Sequence, residues 1–184
     1  MALLTCFGVC TKKCIKRTSM SEIIQTMDHR RVFVDTLNEL GKSDPNIVLI
    51  TCDVGFNYLT GKETFKVLNL GVTEVSSSII ASAMALSKLK IYFYTMIPFA
   101  TFRIHECIRN AICLHKSNVT IAGVLGGPSY KMLGLSHNLL HPMEDVNMMQ
   151  EMPGMQIYLP NTNDDVKNMV IDAYSHNKPS YIKL

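Results

Sequence analysis

The stretch KVLNLGVTEVSSSIIASAMALSKLKIYFYTM, residues 66–96, contains two apolar runs separated by a segment rich in small residues. The first run ends at Gly71, so Thr73 stands where a helix N-cap belongs and Glu74 falls in the first helical turn. The second run, residues 90–96, is mostly apolar, as is typical of a parallel strand buried on both faces. The stretch therefore predicts a strand–helix–strand unit.

The same alternation continues along the chain from Met20 onward. Six strands are predicted, at residues 46–50, 66–70, 90–96, 119–125, 155–160 and 180–184. Helices are predicted between them, at residues 22–41, 74–88, 100–116, 143–151 and 163–177. This pattern indicates an α/β fold in which one domain, residues 21–184, has a mostly parallel sheet with helices on both faces.

The composition agrees with a single soluble domain. The chain has 184 residues, of which 47% are hydrophobic and 18% charged. No segment reaches the roughly 18 to 20 unbroken apolar residues that a membrane span requires. The apolar surplus predicts a surface that is buried against a partner.

Residues 1–20 are predicted to be a basic leader or a disordered tail, with organelle targeting by residues 1–19 as an alternative. Residues 1–21 contain four basic residues and no acid, so removing this charge from the net +3 leaves −1 for the remainder. That balance does not indicate a nucleic-acid-binding protein. The six cysteines form no CxxC pair, so neither a zinc site nor a disulfide framework is indicated and a cytoplasmic location is predicted.

Three polar segments each follow a predicted strand: GVTEV, IPFATFR and GGPSYKMLGLSH. Because ligands bind beyond the carboxyl ends of parallel strands, we expect these segments to gather at one edge of the sheet. Glu74 has two interpretations, either a first-turn acid that stabilises its helix or a buried functional carboxylate. The helix after it is nearly all small or apolar, so both its faces are expected to be buried, and a buried acid needs a partner that can share a proton.

The other candidate residues also have two interpretations each. Phe99 and Phe102 either pack in the core or stack on a flat heterocycle. His137 and His141 lie in a long glycine-rich loop and after it, where a histidine is either solvated or functional. Arg103 either binds a phosphate or forms an ion pair with Glu106 three residues later.

Taken in order, these segments resemble the pyrimidine-binding domain of thiamine-diphosphate enzymes in the transketolase family, and most closely the second chain of two-chain (split) transketolases. The family pattern is D-x-G-F, G-I-A-E-Q, I-P-F-x-T-x-R-x-x-E-Q-I-R, G-G-x-S-Y-x-x-L-G-x-T-H, E-D-I-A and P-x-Y-x-R-L. This chain has DVGF from Asp53, GVTEV, IPFATFRIHECIR, GGPSYKMLGLSH, EDV from Glu144 and PSYIKL at residues 179–184. The resemblance covers residues 28–184.

The resemblance implies specific roles. Glu74 would be catalytic, bonding N1′ of the cofactor's aminopyrimidine and promoting the imino tautomer that removes the thiazolium C2 proton. Phe102 would stack on the pyrimidine and Phe99 would help to wall the pocket. His137 would face the substrate and move protons in the carbonyl addition. The substrate contacts would come from His137, His141, Arg103 and Asp53.

The chain also departs from the family pattern. Val75 replaces the family's glutamine, the segment after His137 is longer, and the chain has no GDG motif followed by a distal Asn, by which these enzymes hold diphosphate and metal. A partner chain is therefore expected to hold the diphosphate and Mg²⁺ or Ca²⁺. The chain is also expected to end with this domain, without the third domain that often follows.

The function implied is that of a subunit in a heteromeric transketolase, which transfers a two-carbon ketol unit between sugar phosphates. The assembly expected is a heterotetramer, with a homodimer of this domain within it. Two alternatives stay open. One is another thiamine-diphosphate enzyme, similar to deoxyxylulose-phosphate synthase or to the beta subunit of a 2-oxo acid decarboxylase. The other is a regulatory partner without catalytic activity.

Overall fold

A computed structural model describes residues 28–184 as a parallel sheet with helices on both faces, which confirms the predicted fold class. The strands are β1 (Ile47–Thr51), β2 (Lys66–Asn69), β3 (Lys90–Met96), β4 (Val119–Val124), β5 (Gln156–Tyr158) and β6 (Ser180–Lys183). The helices are α1 (His29–Gly41), α2 (Glu74–Leu86), α3 (Ile97–Ala100), α4 (His105–Cys107), α5 (Glu144–Gln150) and α6 (Asn163–Ser175). The leader predicted at residues 1–20 and the predicted helical residues 22–27 lie outside the described residues.

The sheet has the order β2-β1-β3-β4-β6-β5, and every neighbouring pair is parallel. Successive residues of β3 face opposite sides, so Tyr92 and Tyr94 enter one core while Ile91 and Phe93 enter the other. Helices α1 and α6 cover the first core, and α2, α5 and the helical region after β3 cover the second. In the part of the chain that the structure describes, no helix is both long and apolar enough to cross a membrane.

The prediction that all strands are buried on both faces is wrong for β2. Three of its four residues are exposed, because β2 lies at the sheet edge and pairs only with β1. The apolar residues of this run therefore gave a misleading signal of burial. By contrast, all five residues of β1, which lies between β2 and β3, are buried.

The helical region after β3 begins earlier than the predicted residue 100. Helix α3 starts at Ile97, directly where β3 ends, with Pro98 in its first turn, where proline's missing N–H is not needed. The helix breaks at Thr101 (φ −125°, ψ −78°) and continues as a 3₁₀ turn (Phe102–Ile104), α4 and a π-helical turn (Ile108–Cys113). As a result, Phe99 lies in a different turn from Phe102.

Helix α2 has one buried and one exposed face, so the expectation that both faces are buried is wrong within residues 28–184. The buried face carries Glu74, Ser77, Ser78, Ala81, Ser82 and Ala85. These residues are mostly small, and the Ser82 hydroxyl donates to the Ala111 carbonyl at 2.7 Å. The opposite face carries Val75, Ile79 and Leu86, whose exposed fractions are 46%, 50% and 57%. We call these three residues the apolar face of α2.

A buried ion pair fixes the last strand to α5. The Lys183 ammonium donates to Asp145 Oδ1 at 2.7 Å, and the Tyr181 hydroxyl donates to Asp145 Oδ2 at 2.5 Å. Asp145 is fully buried, and burial together with this carboxylate raises the pKa of the Tyr181 hydroxyl far above its ordinary value. The carboxylate is therefore saturated by two donors from β6.

We expect the substitution Asp145→Ala to lower the free energy of unfolding by about 3 to 5 kcal/mol, because it leaves a buried ammonium and a buried hydroxyl without their acceptor. Denaturant unfolding followed by circular dichroism would measure the change. Glu39→Ala is the matched control, since it breaks an exposed pair with Lys42 (2.8 Å) and should leave the unfolding midpoint unchanged. Equal effects of the two substitutions would contradict this account.

Candidate functional site

The loops that follow β1, β2, β3 and β4 meet at one edge of the sheet, as predicted. They enclose a cavity of about 270 Å³. We call it the glutamate cavity; its wall includes Cys52, Asp53, Glu74, Phe99, Arg103 and His137. The parallel sheet thus brings together residues that are up to 85 positions apart (52 to 137).

The turn before α2 places Glu74 inside the protein. Gly71 has φ +67°, a conformation that a residue without Cβ adopts at little cost. Thr73 occupies the N-cap position as predicted, but its hydroxyl donates to the Leu70 carbonyl at 2.7 Å and makes no side-chain capping bond. Glu74 then begins the helix with only 2% of its surface exposed, so the interpretation as a buried carboxylate is confirmed.

Glu74 forms an ion pair with Arg103. The Arg103 Nη1 group donates to Glu74 Oε2 at 2.8 Å, and the guanidinium lies over the Phe99 ring, 3.7 Å from its centroid. The predicted ion pair between Arg103 and Glu106 is wrong, because the 3₁₀ turn directs Arg103 toward α2. A flat cation thus lies between the carboxylate and the aromatic wall.

An aromatic cluster forms the opposite wall of the cavity. The His137 ring packs edge-on against Phe99, with 4.9 Å between ring centroids, and stacks on Tyr130 at 6.0 Å. The His137 Nδ1 atom shares a hydrogen bond with the Ser136 hydroxyl at 2.8 Å. This bond leaves Nε2, which makes no hydrogen bond to another side chain or backbone group of residues 28–184, as the nitrogen that is available to a ligand.

The loop that carries His137 is ordered by residues that the sequence analysis did not select. Two 3₁₀ turns within Pro128–Ser136 meet at Gly134, where φ is +61°. The Asn138 amide donates to the Tyr130 carbonyl at 2.9 Å and to the Gly134 carbonyl at 2.7 Å. Asn138 therefore holds the loop closed, and nothing in a single Asn after a histidine signals that role in the sequence.

Two predicted site residues do not line the glutamate cavity. Phe102 is 43% exposed and lies outside its wall, and His141 is exposed and also absent from the wall. Their predicted contacts with cofactor and substrate therefore depend on what covers this surface.

A second cavity of about 360 Å³ adjoins the first and shares Asp53, Val54, Met96 and Tyr130 with it. Arg30, which the sequence analysis missed, is the one arginine or lysine in the wall of this second cavity, as far as residues 28–184 define it. Asp53 has φ +56°, and its carboxylate accepts a hydrogen bond from the Asn69 amide at 2.9 Å. Asp53 is thus held at the junction of the two cavities.

The wall of the glutamate cavity also contains a thiol. Burial, opposed by a hydrogen bond with Ser77, raises the pKa of Cys52, and burial raises the pKa of Cys113 to about 11. Cys107, in contrast, is half-buried and free. Within the described ranges, no three His, Cys, Asp or Glu residues cluster in a way that could hold a metal ion.

We expect iodoacetamide to modify Cys52 and Cys113 more slowly than Cys107 near neutral pH, because burial keeps the first two as thiols and the thiolate is the reactive form. Since their pKa values are raised, their rates should rise about tenfold per pH unit through the neutral range. Mass spectrometry of peptides after timed labelling would measure the rates. Modification of Cys52 as fast as Cys107 would show that the cavity is open to reagents.

Comparison with known proteins gives the site a context. The family model described as the transketolase pyrimidine binding domain matches residues 25–184. One of the two subunits of the apulose-4-phosphate transketolase of Phocaeicola vulgatus is 30% identical over 159 residues, which are 84% of this chain and 50% of that protein. A solved split gene transketolase, described as an inactive beta4 tetramer, is 29% identical with a TM-score of 0.71, and the match covers 85% of this chain and 50% of the solved one.

A more distant relative is the 1-deoxy-D-xylulose-5-phosphate synthase of Desulfitobacterium hafniense, which is 23% identical over 82% of this chain and 24% of its own length. The chain spans about half the length of the two proteins that resemble it at 29% and 30% identity.

Proposed function

This chain belongs to the family of transketolase pyrimidine-binding domains, and we propose that it is the pyrimidine-binding subunit of a two-chain transketolase. In this proposal it transfers a two-carbon ketol unit between sugar phosphates with thiamine diphosphate as cofactor. The observation that carries the proposal is the buried Glu74 carboxylate, which lies beside the Phe99 ring in a cavity at the carboxyl ends of the strands. The similarity to the apulose-4-phosphate transketolase chain supports it.

The residues present fit the pyrimidine half of thiamine diphosphate. A carboxylate with an aromatic face beside it suits a flat ring whose nitrogens bear or accept protons, and Arg103 already places a flat N–H donor there. When bound, thiamine diphosphate supplies a carbon nucleophile that no protein side chain provides. Glu74 would share a proton with the ring nitrogen, Phe99 would support the ring, and Phe102 would stack on it once the complex forms.

The substrate side of the site is assigned to residues that surround the two cavities. His137 offers Nε2 to a sugar hydroxyl or carbonyl, and Asp53 stands at the junction between the cavities. Arg30 provides a positive charge for a phosphate in the second cavity. His141 is retained as a substrate contact that would require a rearranged loop.

The apolar face of α2 is the proposed contact with a diphosphate-binding chain. It presents Val75, Ile79 and Leu86 to solvent, and Val72 just before the helix is 68% exposed. Val75, which replaces the family's glutamine, belongs to this face and not to the buried face that carries Glu74, so the replacement alters the contact surface. The partner would hold the diphosphate and Mg²⁺ or Ca²⁺ within a heterotetramer that contains a dimer of this chain. Its cytoplasmic location remains a prediction.

We expect Glu74→Gln to reduce ketol transfer by at least about 100-fold, because an amide cannot exchange a proton with the cofactor nitrogen. The assay mixes this chain with a diphosphate-binding chain of the same organism, thiamine diphosphate and Mg²⁺, and follows transfer from xylulose 5-phosphate to ribose 5-phosphate. Asp164→Asn is the control, because Asp164 is another first-turn acid, at the start of α6. Full activity of the Glu74→Gln complex would refute the proposal.

A second candidate activity is the condensation performed by deoxyxylulose-phosphate synthases, which the similarity to that enzyme favours. The same complex should then consume pyruvate with release of carbon dioxide. We predict instead that a ketose phosphate is the donor and that pyruvate yields no product. Product analysis by mass spectrometry with each donor in turn separates the two activities, and turnover of pyruvate alone would select the second.

The proposal also differs from a regulatory role without catalysis. A non-catalytic partner would form the complex through the apolar face of α2 and would bind no cofactor. Titration of thiamine diphosphate into the assembled complex, followed by protein fluorescence or circular dichroism, distinguishes these cases. Assembly without saturable cofactor binding would indicate the regulatory role.

A further inference from the structure

Arg103 occupies the space that the proposed cofactor ring needs. Its Nη1 group donates to Glu74 Oε2 at 2.8 Å, and the central carbon of its guanidinium is 3.7 Å from the centroid of the Phe99 ring. A guanidinium is flat, carries N–H donors along its edge and stacks on aromatic rings. These are the properties by which an aminopyrimidine would bind the same carboxylate and the same ring.

We propose that Arg103 is an internal ligand that closes the pyrimidine subsite in the free chain and leaves when the cofactor binds. This inference rests on the proposed function, since it assumes that Glu74 binds the cofactor ring. It assigns Arg103 neither to the substrate nor to the reacting atoms. Arg103 instead controls access of the cofactor to Glu74.

The two partners differ in their freedom to move. Glu74 is 2% exposed and lies at the start of a long helix, whereas the Arg103 side chain is 38% exposed and extends from a short 3₁₀ turn. Separation of the pair therefore requires only that the Arg103 side chain rotate into solvent. The ion pair is partly solvated, so the cofactor has to displace a weak contact.

The pair also gives a reason for the arginine. A buried carboxylate without a partner destabilises a protein, and a chain that waits for its cofactor would otherwise hold Glu74 in that state. Arg103 neutralises the carboxylate until the cofactor ring replaces it. Removing Arg103 should consequently have two opposite effects, a less stable free chain and a tighter pyrimidine subsite.

The test titrates the full chain with 4-amino-2,5-dimethylpyrimidine and follows binding by nuclear magnetic resonance. This probe is neutral near pH 7, so a gain in affinity would not reflect the loss of one positive charge near a cation. We expect Arg103→Gln to bind the probe about tenfold more tightly than the wild type, from loss of the competing ion pair and ring contact. Arg109→Gln, in the same helical region but outside the cavity wall, should bind like the wild type.

Two further measurements sharpen the test. Thermal unfolding should occur at a lower temperature for Arg103→Gln than for Arg109→Gln. The ¹⁵N signals of the Arg103 guanidinium should show restricted rotation in the free wild type, and saturating probe should shift them to the positions seen in Glu74→Gln.

The outcomes distinguish the inference from the proposed function. If Glu74→Gln abolishes probe binding but Arg103→Gln binds no more tightly than the wild type, Arg103 is a permanent part of the site and the inference is wrong while the function stands. If the Arg103 signals do not respond to saturating probe, the inference is also wrong. If Glu74→Gln binds the probe like the wild type, or if Arg103→Gln does not bind it at all, the cofactor assignment fails and the inference fails with it.

Discussion

The parallel pairing of the strands is the constraint on which the site depends. Because β1, β2, β3 and β4 run in the same direction, the loops that leave them all emerge at one edge of the sheet. Asp53, Glu74, Phe99 and His137 come from four separate loops and meet around one cavity for this reason. A strand of opposite direction would carry its loop to the far edge and remove one wall.

Within this frame, the buried charge of Glu74 sets the chemical character of the site. Removal of a carboxylate from water costs several kcal/mol unless a partner compensates. The first turn of α2 contributes its partial positive charge, and Arg103 contributes a full one. The same need for a partner makes the carboxylate receptive to a ring nitrogen, so the free chain and the proposed complex differ in which group satisfies Glu74.

Local patterns were sufficient to predict the alternation of strands and helices, the gathering of the loops and the burial of Glu74. They failed where the outcome depends on neighbours in space. The run that forms β2 is rich in apolar residues but lies at an edge, and Arg103 has an acid three residues away yet pairs with one 29 residues distant. Arg30 and Asn138 gave no signal because their contacts come from loop geometry. The exposed face of α2 has the composition of a core, which is expected if a second chain completes it.

The central claim is that Glu74 activates the cofactor in the assembled complex. The direct measurement is the rate at which the C2 hydrogen of bound thiamine diphosphate exchanges with deuterium, followed by nuclear magnetic resonance after acid quenching. The account predicts exchange that is about 10² to 10⁴ times faster in the wild-type complex than in the Glu74→Gln complex, with cofactor bound in both. Equal exchange rates in the two complexes would contradict it.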